Sequence, residues 1–107
     1  MIEDPTLYPV VIHGTFSKFW KLIKQEGLKR MSRNHIHFAP GMPQEEGVIS
    51  GMRSTCDIYI QIDMEAAIKD GIKFYISSNN VILTEGVDGV LSPKYFKRVV
   101  QKNGQLA

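Results

Sequence analysis

With 107 residues, 43% of them hydrophobic and 22% charged, the chain has the size and composition of one folded domain, too apolar for a disordered segment and too mixed for a coiled coil. Its single cysteine, Cys56, cannot form an internal disulfide, which fits a reducing, intracellular setting, cytoplasmic or nuclear. No apolar run nears the roughly 20 residues of a membrane span, and Met1-Ile2-Glu3-Asp4-Pro5 lacks the basic start and apolar stretch of a secretory leader. The net charge of +2 is unevenly spread: residues 1–37 carry six cations against three anions, 57–89 two against six, and 90–107 four cations and no anion. If the two basic blocks lie side by side they make a positive face for a phosphate-bearing partner; the plainer reading is dispersed, solvated lysines.

In chain order, the β-branched run from Tyr8 to His13 predicts a buried strand ending at His13, with Gly14 and Thr15 as the turn after it. Ser17 suits a helix N-cap. Phe16, Phe19, Trp20 and Ile23 then fall at i, i+3, i+4 and i+7, a core-facing stripe from which Lys18, Lys21 and Lys24 are excluded, and Gly27 ends the helix. His35-Ile36-His37-Phe38 alternates as a short strand, 39–46 reads as loop, and 57–63 alternates as a half-buried strand. A short helix over 64–70 stops at Gly71; strands follow at 72–76 and 81–84 around the turn Ser77-Ser78-Asn79-Asn80. Pro93 opens a short terminal helix through about Val100. Short strands, few helices and no regular βαβ alternation make this an α+β chain with a mixed or antiparallel sheet.

Three polar clusters could carry chemistry. His13-Gly14-Thr15 places an imidazole and a hydroxyl beside a glycine, which lets a ribose or phosphate approach the backbone, although a turn-capping histidine gives the same tripeptide. On a strand, His35, His37 and Arg33 share one face. Two such histidines with His13 could bind zinc, but a guanidinium on that face repels a dication and no nearby carboxylate or cysteine completes the ligands, so no metal is expected and anion or nucleotide binding suits the residues better. Ser50-Gly51-Met52-Arg53-Ser54-Thr55 is a hydroxyl-rich loop with one arginine able to cradle a phosphate, without a Walker A lysine. No carboxylate pair suggests glycosidase chemistry. From the residues alone, the chain is a domain with His and Arg aimed at a phosphorylated ligand.

The order of these segments resembles the RNA 2′-phosphotransferase family. The likeness rests on His13-Gly14-Thr15, Gly27-Leu28, Arg33-x-His35-Ile36-His37, Ser50-Gly51-Met52-Arg53, Ser78-x-Asn80-Val81-Ile82-Leu83-Thr84 and Pro93-x-Tyr95-Phe96, in register from about Val10 to Val99. It implies an ADP-ribosyltransferase-like split, mixed or antiparallel β structure, with residues 10–100 as an NAD-binding lobe, 1–9 as an N-terminal extension and 101–107 as a tail. It also implies a reaction in which an internal RNA 2′-phosphate, as in spliced tRNA, displaces nicotinamide from NAD. Transesterification by the ribose 2″-hydroxyl then gives 2′-OH RNA and ADP-ribose 1″,2″-cyclic phosphate.

By the same resemblance His13, Gly14, Thr15, His35, His37, Ser78, Asn80 and Val81 line the NAD cleft, Arg53 is the catalytic cation on the transferred phosphate, and Arg33 supports a phosphate. His13, a histidine of the His35-Ile36-His37 strand and Val81 stand at the three signature positions of that fold. Many protein-modifying relatives have an acceptor-activating glutamate where Val81 stands; an apolar residue fits an acceptor that is already an anion. Family members also carry an N-terminal lobe that supplies further arginines and a histidine, whereas here a dozen residues precede His13 and no arginine precedes Arg30. The expectation is therefore one lobe of a two-lobe site that binds NAD or ADP-ribose, with weak or missing turnover alone. Two other outcomes stay open: transfer of ADP-ribose to a terminal nucleic-acid phosphate, and a non-catalytic NAD or ADP-ribose binding module. The oligomeric state is left open.

Overall fold

The structure, a computed structural model, describes residues 2–30, 34–40 and 57–101. Within them the chain is α+β with antiparallel strands and two short helices: β1 (Ile12–Thr15), α1 (Ser17–Glu26), β2 (Leu28–Lys29), β3 (Ile36–Phe38), β4 (Ile58–Ile62), α2 (Met64–Lys69), β5 (Phe74–Ile76), β6 (Ile82–Thr84), β7 (Val90–Leu91) and β8 (Phe96–Gln101). One sheet has the order β1-β4-β8, another β3-β6-β5, and β2 pairs with β7. Every one of these pairings is antiparallel. No described helix is long and apolar enough to cross a membrane.

The two three-stranded sheets meet at one place. Ile12 and Ala39 exchange backbone hydrogen bonds of 2.9 and 2.8 Å, and beyond that bridge β1 and β3 part into separate sheets. Alternation then sorts the side chains. Ile58, Ile60 and Ile62 of β4 join Ile36, Phe38, Phe74 and Ile82 in the main core, while Ile12 and Tyr59 form a smaller cluster on the other face of the first sheet. Thr84, fully buried in the middle strand of the second sheet, donates to the Lys73 carbonyl at 2.7 Å and accepts from the Gly86 N–H at 3.1 Å, so its hydroxyl is paired without water.

Several expectations are corrected here. The first strand begins later than the hydrophobic run suggests and takes in Gly14 and Thr15, because β4 supplies backbone partners as far as Thr15↔Ile58. The terminal helix expected from Pro93 is a 3-10 turn, Pro93–Tyr95, followed by β8. There the β-branched Val99 and Val100 pair with Ile60 and Tyr59, and tertiary pairing overrides the helix-start signal. Ser17 is not a cap but the first helical residue. Asp57, just before β4, accepts from its N–H at 2.8 Å and its hydroxyl at 2.9 Å, placing a carboxylate at the positive end of α1. The segment before β1 packs on the body: Ile2 is buried and its N–H donates to the Phe74 carbonyl at 2.7 Å.

Candidate functional site

Beyond the Ile12–Ala39 bridge, the parting of β1 from β3 decides what each side chain faces. His13 and Thr15 lie opposite Ile60 and Ile58, so they share the face of β4 that builds the core. The imidazole of His13 packs edge-on to Phe38 with ring centroids 5.8 Å apart, and its Nδ1 lies 2.8 Å from the His37 carbonyl oxygen. A carbonyl can only accept, so Nδ1 carries the proton in this contact. The main chain thereby orients the ring.

Helix α1 stands over this edge. A cavity of about 260 Å³ opens between α1, β1 and β2, lined by His13 and Thr15 on the strand, Phe19, Leu22, Ile23 and Glu26 on the helix, and Gly27, Leu28 and Lys29 beyond it. Its walls are apolar where the helix faces it, and its polar groups sit at the strand and at the mouth. There Lys29 Nζ and Glu26 Oε1 are 2.7 Å apart, both about half exposed, a pair worth little to stability but well placed to meet a polar ligand. Gly27 closes the end of the helix at φ +88°, and a Cβ there would collide with the Leu91 carbonyl oxygen, so this corner of the cavity requires glycine.

The remaining candidates are not all gathered here. Ile36 and Phe38 point into the core, so His37, opposite Leu83 and in the same row as Tyr75, stands on the outer face of β3-β6-β5. His35, just before β3, meets the ring of Tyr75 edge-on at 6.4 Å. Ser78 and Asn80 are exposed in the β5–β6 turn, with Asn80 at φ +66°, and neither lines the cavity. Val81 follows that turn, its N–H bonded to Ser77 Oγ at 3.0 Å. Arg33 and Arg53, the expected phosphate-binding cations, lie outside the described residues, as does Cys56. Among the described residues no three His, Cys, Asp or Glu side chains are grouped to hold a metal ion.

Residue-by-residue reading missed the helix side of the site. Phe19, on the core stripe by its spacing, is 46% exposed and faces the cavity, while Trp20 and Ile23 pack on the core. The signal was present in the wide angular spread of apolar residues along α1, with Leu22 off the core stripe. Glu26 and Lys29 carried no signal of their own. A second cavity, about 190 Å³ beside Asp70, Lys73, Tyr75 and Glu85, contains none of the expected residues.

The fold and site define an α+β domain whose β1 motif opens onto a cavity under α1, beside the point where β1 and β3 part. Comparison with known proteins identifies which such domain it is. The profile of the RNA 2′-phosphotransferase, Tpt1 / KptA family matches residues 1–86, and the chain belongs to that family. It is 52% identical over 94% of its length to tRNA 2′-phosphotransferase 1 of Homo sapiens and 50% identical over 90% to the protein of the same name in Danio rerio. Against tRNA 2′-phosphotransferase of Saccharomyces cerevisiae the identity is 42% over 79% of the chain. These matches cover 40%, 44% and 38% of the respective relatives, so the chain spans less than half the length of each.

Proposed function

We propose that this chain is the NAD-binding, ADP-ribosyltransferase-like part of an enzyme that removes an internal 2′-phosphate from RNA, tRNA being the substrate that the relatives' names point to. The observation that carries the reading is that His13 and Thr15 open onto one cavity between β1, α1 and β2, in a chain of the 2′-phosphotransferase family. The cavity fits half of the cosubstrate. Its volume of about 260 Å³ falls just below the range of about 300–1,000 Å³ for pockets that enclose a drug-sized ligand, and its apolar wall with polar ends suits a base and its ribose. NAD, when bound, supplies an anomeric carbon whose nicotinamide can leave.

The chain's own residues bind and orient. His13, held through Nδ1 by the His37 carbonyl, lies in the cavity wall, where a ribose of the ligand would meet it. Gly14, between His13 and Thr15, lies opposite Tyr59 on the other face of the strand and does not line the cavity. Phe19 and Leu22 cover the flat face of a base and exclude water from it, and Lys29 offers a cation at the mouth. The RNA 2′-phosphate is already an anion and needs no base to activate it, consistent with Val81 where other transferases carry glutamate. Arg53, with Arg33 in support, neutralises the phosphate and the charge that builds on it during the second transfer, whose products are 2′-OH RNA and ADP-ribose 1″,2″-cyclic phosphate.

The test is calorimetric titration with NAD, followed by nicotinamide release with a 2′-phosphorylated oligonucleotide, alone and with the N-terminal lobe of a relative added. His13→Ala should weaken NAD binding by about tenfold or more, roughly 1.4 kcal/mol or greater. Arg53→Ala should abolish turnover while leaving NAD affinity nearly intact. Loss of NAD binding in Arg53→Ala would overturn the role given to Arg53. A wild-type chain that binds no NAD would overturn the whole reading. A stable ADP-ribosylated RNA product would limit the chemistry to the first transfer.

A further inference from the structure

The reaction proposed above has two substrates that must be told apart at one atom. The cosubstrate is an adenosine nucleotide whose ribose 2′-hydroxyl is free, and the nucleophile is an RNA nucleotide whose 2′-position carries phosphate. A cavity that accepts a nucleoside needs a group that admits the first and rejects the second. The cavity under α1 has such a group at its mouth.

Helix α1 brings its C-terminal end to that mouth. Glu26 is its last residue, and Gly27, Leu28 and Lys29 continue the lining onto β2. The main chain fixes both sides of this corner: the Gly27 N–H donates to the Ile23 carbonyl at 2.8 Å, and Leu28 and Lys29 pair with Leu91 and Val90 of β7. The Glu26 carboxylate therefore stands at a set place, 2.7 Å from Lys29 Nζ. Among the described lining residues Lys29 is the only lysine or arginine and Glu26 the only acid, so the cation is already engaged by the carboxylate. A phosphate at this corner would meet that carboxylate and the negative end of the helix dipole, the reverse of the helix N-termini that bind phosphates. A ribose diol would find an acceptor for its hydroxyls.

Charge decides which half of NAD comes here. The nicotinamide ring is cationic until it leaves, and its anomeric carbon has to stay open to the RNA phosphate. Adenine is neutral and flat. The wall of Phe19, Leu22 and Ile23 removes water from whatever lies on it, which penalises a charged ring and not a neutral one. A cavity of about 260 Å³ holds one nucleoside and not both halves of the dinucleotide, so adenine on the helix wall leaves its ribose among the polar groups of the rim.

We propose that Glu26 selects a free adenosine 2′-hydroxyl: it accepts from the ribose diol of NAD and turns away 2′-phosphorylated adenosine, whether NADP or a substrate nucleotide. The inference rests on the NAD reading above and gives the specificity of the same cavity. It keeps the 2′-phosphate of the RNA out of the cosubstrate's place.

The test is calorimetric titration of the whole chain with NAD and with NADP. Wild type should bind NADP about tenfold or more weakly than NAD, the effect of setting like charges together. Glu26→Gln keeps the shape and an acceptor but not the charge. It should lose about threefold in NAD affinity, gain in NADP affinity and so close most of the gap. Glu26→Lys should reverse the preference. Adenosine 2′,5′-bisphosphate, which carries the 2′-phosphate of the RNA substrate, should compete with NAD about tenfold better on Glu26→Lys than on wild type. Glu65→Gln, which removes an acid paired with Lys69 at 3.7 Å on α2, should keep the wild-type ratio. A ratio that both Glu26 variants leave unchanged would overturn the role of Glu26, as would an equal change in the Glu65 control. Glu26 is about half exposed, so neither variant should shift thermal unfolding, and a folded variant that binds neither nucleotide would overturn the proposal too. A wild-type chain that binds NAD and NADP equally well sinks this proposal and spares the cofactor reading; one that binds neither sinks both.

Discussion

The two helices are held in place in opposite ways. α2, of six residues, buries Met64 and Ala67, is capped by its own Asp63, which accepts from the Ala66 N–H at 3.1 Å, and ends at Asp70 with that residue's N–H shared among the preceding carbonyls. α1, of ten residues, has no fully buried side chain and borrows its N-terminal acceptor from Asp57, forty residues away in sequence. The shorter helix is a wedge in the core. The longer one is laid on the surface by Trp20 and Ile23, and its other apolar residues are left for something that is not part of this chain's core. Helical stability in proteins comes mostly from packing an apolar face, so a helix that keeps Phe19 and Leu22 exposed gives up stability there.

The largest expected effect separates the two helices directly. Met64, 3% exposed, should cost about 2–4 kcal/mol of stability when changed to Ala, through lost burial and the cavity left behind. Leu22→Ala on α1 should stay within about 0.5 kcal/mol of wild type, because 55% of the residue is exposed, yet it should weaken NAD binding several-fold. Urea unfolding of both variants beside NAD titration of the second checks the contrast. If Leu22→Ala unfolds as easily as Met64→Ala, then α1 is a core element like α2.

Most of α2 was legible in the sequence and much of α1 was not, for the same reason. The helix over 64–70 and its stop at Gly71 are set within one short segment, so local chemistry names both, while the burial of Met64 and Ala67 shows only in the structure. The anchors of α1 are distant in sequence: Asp57 at its start, Phe96 under Trp20, and Leu91 against Gly27. None of these is encoded in the segment from 17 to 27. The same holds for the site. His13-Gly14-Thr15 was legible as ligand chemistry because imidazole, glycine and hydroxyl are adjacent, but the cavity needed the placement of α1, and the pairing of β2 with β7 that closes its far end has only two residues on each side. The terminal helix failed because Pro93 is a local signal, while β8 owes its existence to pairing with β4.

The two N-terminal carboxylates sharpen the comparison at smaller magnitude. Asp57→Ala and Asp63→Ala should each cost about 1 kcal/mol, the usual value of a helix cap. Only Asp57→Ala should also reduce NAD affinity, since it loosens the helix that walls the cavity, whereas α2 contributes nothing to that wall. Thermal unfolding and NAD titration of the pair test this. Equal NAD affinities in the two variants would mean that α1 is held by Trp20 and Ile23 alone.

The smallest effect concerns the C-terminal end of α2. Asp70 accepts a 2.6 Å hydrogen bond from the Tyr95 hydroxyl and an ion pair from Lys94, and together these hold its carboxyl below the ordinary value of 3.8. The hydrogen bond between them raises Tyr95 above its ordinary 10.0, and Lys94 is raised above 10.5 by its contacts with Tyr95 and Asp70. A carboxyl that binds its proton less tightly when folded stabilises the protein above its unfolded pKa, and that contribution fades as pH falls through the lower folded value. The two raised groups act in the other direction, stabilising below their unfolded pKa values and fading as pH climbs past the folded ones. The α2 anchor should therefore be fully effective across neutral pH and weaken at both extremes. Asp70→Asn, which keeps the shape but not the charge, should flatten the acid limb of the unfolding midpoint against pH and leave NAD affinity unmoved. An unchanged acid limb would mean that the Tyr95 contact stabilises the helix end no better than water does.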